Sequence, residues 1–192
     1  MATAEKVTTS KPLVGGGAWV APLGTALPTD ATSTLGDAFK DLGFISDDGI
    51  KNSNKASTSN ITAWGGKVVA TVQTEKPDTY QFTLIEATNL EALKLIYGDS
   101  NVSGDIATGI TIKANSDEAT EHVVVIDMKL REDALKRIVI PRAKVTEVDD
   151  ISYKDSDAIS YGTTISCTPD DSGNTHYEYI IQKKATNSAS GS

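Results

Sequence analysis

Between Gly66 and Glu75, Val68, Ala70 and Val72 alternate with Lys67, Thr71 and Gln73. A period of two predicts a strand with one apolar face. Lys76, Pro77 and Asp78 read as a turn, and Thr79–Ala87 returns with Tyr80, Phe82 and Leu84 on one face. The two segments are therefore expected to pair as a hairpin. The period then changes. Leu90, Leu93 and Tyr97 fall on one helical stripe with Ile96 beside it, so Thr88–Tyr97 predicts a helix. Thr88 is its expected N-cap, Glu91 completes a capping box, and Gly98 ends it. Further strands are expected over 105–113, 121–130, 138–148, 159–168 and 176–183, each bounded by Gly, Asn, Asp or Pro. Pro141 interrupts the third of these, which should lie at an edge or carry a bulge. The expected fold is mainly β (α+β): an antiparallel sandwich or barrel-like domain with one flanking helix, Thr88–Tyr97.

Periodicity fails between Gly15 and Gly49, a stretch rich in Gly, Pro and Thr. A loop of that length is uncommon inside a compact domain. It also carries Trp19, Val20, Leu23, Leu27, Leu35, Phe39, Leu42, Phe44 and Ile45, too apolar a set for plain disorder. The expectation is an arm that packs on a partner. Gly15–Gly17 would be its hinge, Trp19–Leu27 an extended contact, and Thr34–Leu42 a short helix stopped at Gly43. Ser46–Gly49 reads as a turn, and Lys51–Asn60 as loop or a weak edge strand. The domain organisation that follows is a flexible N-terminal arm over 1–16, one β-domain over 17–184 that includes a long loop over 17–60, and a disordered tail over 185–192. Trp64 stands beside Gly65 and Gly66, either capping the domain's own core or offering an aromatic anchor to a partner. Trp19, Leu23, Leu27, Leu35, Phe39, Phe44 and Trp64 are the candidate interface residues.

Composition narrows the function. The chain has 192 residues and a formal net charge of -8, which disfavours adhesion to nucleic acid and suits a surface that phosphates slide past. One cysteine, Cys167, permits no internal disulfide, which fits folding in a reducing compartment. Residues 1–14 lack the apolar core of a signal peptide, and no apolar run reaches membrane-span length, so folding in a cytoplasm without membrane contact is expected. Catalysis would have to start from Cys167 with His176, or from His122, and nothing near them has a metal-ligand spacing. The Asp-rich turns do not match a calcium loop, and Gly15–Gly17 lacks the Lys-Ser/Thr of a phosphate loop. The expectation is a protein that is not an enzyme, with no cofactor and no metal.

Several segments in order carry a resemblance: GAWVAPLGTALPTD, L-x-x-x-F-x-DLGFISDDGI, AWGGKVVATVQTE, FTLIEATNLEALKLIYG and IVIPRAKVTEV. Together they resemble the major tail protein, or tail tube protein, of long-tailed bacteriophages of the actinobacteriophage type, over about residues 17–183. The resemblance implies a β-sandwich with a flanking helix, hexameric rings sharing one inner barrel, and stacking into a tube around a tape measure protein. It implies tail-tip and tail-terminator proteins as further partners, a long loop that bridges subunits, and a lumen through which DNA passes without specific binding. The protein would be assembled in the host cytoplasm and reside in the virion tail. Carboxylates facing that lumen would repel DNA, and Glu75, Asp127 and Glu147 are the candidates. The alternative is a monomeric β-sandwich that binds carbohydrate or a host surface, with two Trp and six Tyr as sparse stacking platforms.

Overall fold

Apolar and β-branched residues at alternate positions put close to half of the chain into strands, and the computed structural model describes residues 6–13 and 17–182. In chain order the elements are β1 (Ser10–Pro12), β2 (Ala18–Pro22), β3 (Lys40–Asp41), β4 (Lys51–Asn54), β5 (Ser57–Thr62), β6 (Val68–Glu75) and β7 (Asp78–Leu84). After α1 (Leu90–Tyr97) come β8 (Val102–Asp105), β9 (Gly109–Ile112), β10 (Glu121–Leu130), β11 (Ala134–Val148), β12 (Tyr161–Cys167) and β13 (Tyr177–Gln182). All pairings are antiparallel, so the chain is mainly β with one α-helix among the described residues. The main sheet runs β3-β2-β10-β11-β12-β7-β4, with β1 also on β10 and β13 also on β11.

Residues from strands far apart in that order share one core. Ala18 and Val20 of β2, Val124 and Ile126 of β10, Ile138 and Ile140 of β11, Ile165 of β12, and Tyr80, Phe82 and Leu84 of β7 form a single buried cluster. The sheet therefore curls around it, and α1 adds Ala92, Leu93 and Leu95. β10 buries both faces. Val124 and Ile126 point inward, while Val123 and Val125 join Ala21 and Val139 in a second cluster on the outer face.

The second cluster decides the fate of the long apolar stretch. Leu27, Leu35 and Phe39 pack on it, so residues 23–39 are the cover of the domain's own outer face. Ala18, Val20, Ala21 and Leu42 are buried, and Ile45 bridges Leu84. The expectation of an arm reserved for a partner is corrected here. The sheet supplies the apolar surface that the stretch needs, at about 25 cal/mol per Å² buried. The expected helix over Thr34–Leu42 is absent. So short a helix is marginal on its own; Lys40 and Asp41 pair with Val20 and Trp19 instead, and Leu42 N–H donates to Ala18 O at 3.0 Å. Of the expected N-terminal arm, Ser10–Pro12 pair with Leu130–Met128, and the hinge residues Gly15 and Gly16 lie outside the described residues.

One ion pair fastens this cover. Asp127 and Arg137 face each other across β10 and β11, at 4% and 3% exposure, with Nε to Oδ1 at 2.6 Å and Nη2 to Oδ2 at 2.7 Å. Arg137 Nη1 also donates to the carbonyls of Asp30 at 3.1 Å and Ser33 at 2.9 Å. Asp30 in turn shapes its own turn. The Ser33 and Thr32 amides and the Thr32 hydroxyl donate to its carboxylate and hold its pKa at about 2.

Two further expectations change. Val68–Glu75 does not pair with Thr79–Ala87. The chain keeps its direction through Lys76–Pro77 and reverses at Trp64–Gly66, so β6 pairs with β5 and β7 with β4 and β12. The helix is capped by Asn89, not Thr88: Asn89 Oδ1 accepts from Glu91 N at 3.0 Å and Ala92 N at 3.2 Å, while its Nδ2 donates to Glu86 and to Asp41 O. Those tertiary contacts select Asn89 over its neighbour. Gly98 closes the helix as expected, its N–H bonding Lys94 O at 2.8 Å. Pro141 carries the expected bulge: His122 opposes Ala143 and Val124 opposes Ile140, so Pro141 and Arg142 together face Val123 within a buried, central strand.

Asp127→Ala leaves a buried guanidinium unpaired and costs about 3–5 kcal/mol, read as a lower urea midpoint. Deleting residues 17–48 removes β2 and the outer cover; the expected outcome is loss of the folded β spectrum by circular dichroism rather than a trimmed stable domain.

Candidate interaction surface

The feature that the body does not absorb is a ribbon. β4 and β5 run against β6 and β7, with Asn54 opposite Asp78 and Ser57 opposite Glu75, and every residue from Lys51 to Pro77 is exposed. Ala63 N–H bonds Lys67 O at 2.8 Å and Gly66 N–H bonds Ala63 O at 3.0 Å, which closes the tip around Trp64. Gly65 and Gly66 sit at φ 98° and 86°, a left-handed backbone that a side chain would strain. Trp64 at the tip is fully exposed, and Ile61, Val68, Val69 and Val72 are also exposed along the ribbon. A two-stranded ribbon is marginal in water by itself, and these β-branched residues keep about half of their surface in water.

The candidate interface residues divide. Leu23, Phe44 and Trp64 are exposed, whereas Leu27, Leu35 and Phe39 cover the outer cluster and Trp19 lies half-buried beside them. The candidate lumen carboxylates divide too. Glu75 and Glu147 are exposed, but Asp127 is buried against Arg137, and its charge is neutralised inside the domain rather than presented to a lumen. Sequence reasoning missed the valines and Ile61 of the ribbon. The available signal was β-branched runs on both sides of a Trp-Gly-Gly corner, which is hairpin chemistry.

The base of the ribbon is held by Asp78. Its carboxylate accepts from Thr175 Oγ1 at 2.6 Å, from Asn52 Nδ2 at 2.8 Å, and lies 2.6 Å from His176 Nδ1. Burial pushes this carboxyl up, but the hydrogen bonds from Thr175, Asn52 and His176 together outweigh it and hold the pKa below its ordinary value. His176 also meets the edge of the Tyr80 ring, with centroids 5.5 Å apart. Cys167 is buried, and desolvation, with the Asp78 charge nearby, pushes its thiol up to about 12. An activated nucleophile needs the opposite shift. His122 is buried on β10, with Nε2 3.1 Å from Asp99 Oδ2. Among the described residues no group of three or more His, Cys, Asp or Glu is placed to hold a metal ion. Tyr177 and Tyr179 stack at 6.5 Å, yet they pack on the outer cluster.

A family model described as phage tail tube protein matches residues 10–191. No curated protein matches the chain.

Asp78 contributes stability that is complete above its unfolded pKa of about 4 and lost as the pH falls through its lower folded value. Urea midpoints should therefore drop below about pH 4, and Asp78→Asn should remove part of that drop. Cys167 should resist alkylation at about pH 8 until denaturant unfolds the chain, measured by mass shift.

Proposed function

The chain belongs to the family of phage tail tube proteins, and from that premise we propose that it assembles into hexameric rings stacked into the tube of a long-tailed phage, a conduit for DNA at ejection. It is a structural tail protein. The observation that carries the finer reading is the exposed ribbon, with Trp64 at its tip and Val68, Val69 and Val72 along one strand. A tube grows by a head-to-tail contact, in which one patch on each subunit meets a different patch on the next and the contact repeats without closing. A ribbon that leaves the body and ends in an aromatic residue suits that contact, because what it buries lies on another copy.

The remaining free edges support the same reading. β13 has Ile180 and Ile181 exposed and is hydrogen-bonded on one side by β11. Unpaired edges template association, and pairing them between subunits around a ring removes them. In this reading the outward carboxylates Glu75 and Glu147 face the lumen, and the net charge of -8 keeps the phosphate backbone from adhering as DNA passes. A tape measure protein occupies the lumen before that, and tail-tip and terminator proteins cap the two ends. Assembly takes place in the host cytoplasm, and the protein acts without catalysis.

Negative-stain electron microscopy of the concentrated protein should show hollow tubes or rings of uniform diameter. A chain that stays monomeric with the tail-tip initiator and tape measure present would count against the reading. A Val69→Ser, Val72→Ser variant should keep the monomer's stability within about 0.5 kcal/mol, since both side chains are exposed, and should form no tubes.

A further inference from the structure

The body carries an unfilled groove whose chemistry matches the ribbon tip. β1 is hydrogen-bonded to β10 alone and β4 to β7 alone among the described strands, so each leaves one edge open. The two strands flank a cavity of about 560 Å³. Tyr80, Ile126 and Ile138 contribute to its lining from the core, and Ile45, Ile50 and Met128 from its sides. Two hydroxyls in this lining, Tyr80 Oη and Ser46 Oγ, are buried without a hydrogen-bond partner among the described residues, and Tyr80 is 1% exposed. Buried polar groups are nearly always satisfied, and an orphan costs free energy. An occupant that brings a donor and some apolar surface would satisfy both the hydroxyls and the isoleucines of this lining.

Trp64 has those properties. Its ring is wholly exposed, and its indole N–H is a donor that accepts nothing in return. Gly65 and Gly66 beside it carry no side chain to hold the backbone away from the groove. Lys67 follows, and Asp47 lies on the groove lining with Asp48 next to it, opposite in charge to Lys67; the other charges of the lining are Lys11, the Lys136–Glu178 ion pair and Asp127, which is paired with Arg137. The tip does not reach its own groove. Asn52, at the base of the ribbon, lines the cavity, and the strands between Asn54 and Trp64 extend for about 30 Å at about 3.3 Å per residue.

We propose that the Trp64 tip of one copy seats in the β1–β4 groove of the next, with the indole N–H donating to one of the two orphaned hydroxyls and Lys67 against Asp47. The inference rests on the tube reading and names the docking site of the ribbon. Because tip and groove are different patches of one chain, the contact propagates.

The test uses full-length chains of two kinds, one Lys67→Cys and the other Asp47→Cys, mixed, assembled and oxidised. The expected result is a disulfide-linked dimer from the mixture. A chain carrying both substitutions should give a ladder of higher multimers. Tubes that form normally without the crosslink overturn the docking site and leave the tube reading standing, whereas a wild type that forms no tubes removes the premise and the inference with it. A crosslinked dimer that forms as readily from either variant alone as from the mixture likewise overturns the inference. As a second measurement, Ser46→Ala, Tyr80→Phe should raise the concentration needed for assembly about three- to tenfold, the loss of one buried hydrogen bond. It should leave the monomer's melting temperature unchanged or higher, because the lost hydroxyls have no partner there. Assembly at the wild-type threshold would overturn the role of the hydroxyls.

Discussion

The paired charges of Asp127 and Arg137 are the constraint on which the body depends. They sit opposite each other on the two central strands, out of water, and neither is tolerable there alone. Their hydrogen bonds reach well beyond the pair. Arg137 holds the carbonyls of Asp30 and Ser33, the Asp127 amide donates to Gly17 O, and Leu13 N–H donates to Asp127 O. The N-terminal crossing and the covering loop are thus pinned to the same point of the sheet. With the loop in place, Leu27, Leu35 and Phe39 close over Val123, Val125 and Val139. A strand with both faces apolar is stable only when both faces are covered, so the outer layer is a condition of the inner one.

Against this well-covered body the ribbon stands out because it is covered by nothing. The same kinds of residue, valine and isoleucine on antiparallel strands, are buried at 123–126 and exposed at 61, 68, 69 and 72. Local sequence does not distinguish them; the difference is whether the chain itself supplies a facing surface. Asp78 marks the boundary. Hydrogen bonds from Thr175, Asn52 and His176 tie it to β4 and to the approach of β13, and beyond it the strands leave the body. In the proposed tube, stability comes from the body, and association from a segment that gains its partner surface only on assembly.

Much of the fold was legible in the residues. The β class, the helix over Leu90–Tyr97 with its Gly98 stop, the strand over 121–130 and the bulge forced by Pro141 all follow from period, propensity and the missing proline amide. These are local rules, and local rules need no partner. The turn at Ser46–Gly49 belongs to the same set, with Gly49 N–H on Ser46 O at 3.0 Å. Of the candidate interaction surface, the Trp64-Gly65-Gly66 corner stood out in the sequence with core cap and partner anchor both open, and the structure exposes the ring; the ribbon around it was not legible.

What only the tertiary structure decided is which apolar surfaces meet. Residues 17–49 are apolar without a period, and sequence alone establishes that they need a surface to cover them; the apolar outer face of β10 and β11 decides that Leu27, Leu35 and Phe39 find it within their own domain. The pairing of β5 with β6 is likewise a choice between strands of similar pattern, made by where the chain reverses. Asp127 reads as one more strand carboxylate until Arg137 is found ten residues away across the ladder. In each case the sequence states a requirement, an apolar face or a charge to be satisfied, and long-range geometry selects the partner, because hydrophobic attraction is non-directional and acts on whatever surface the fold brings near.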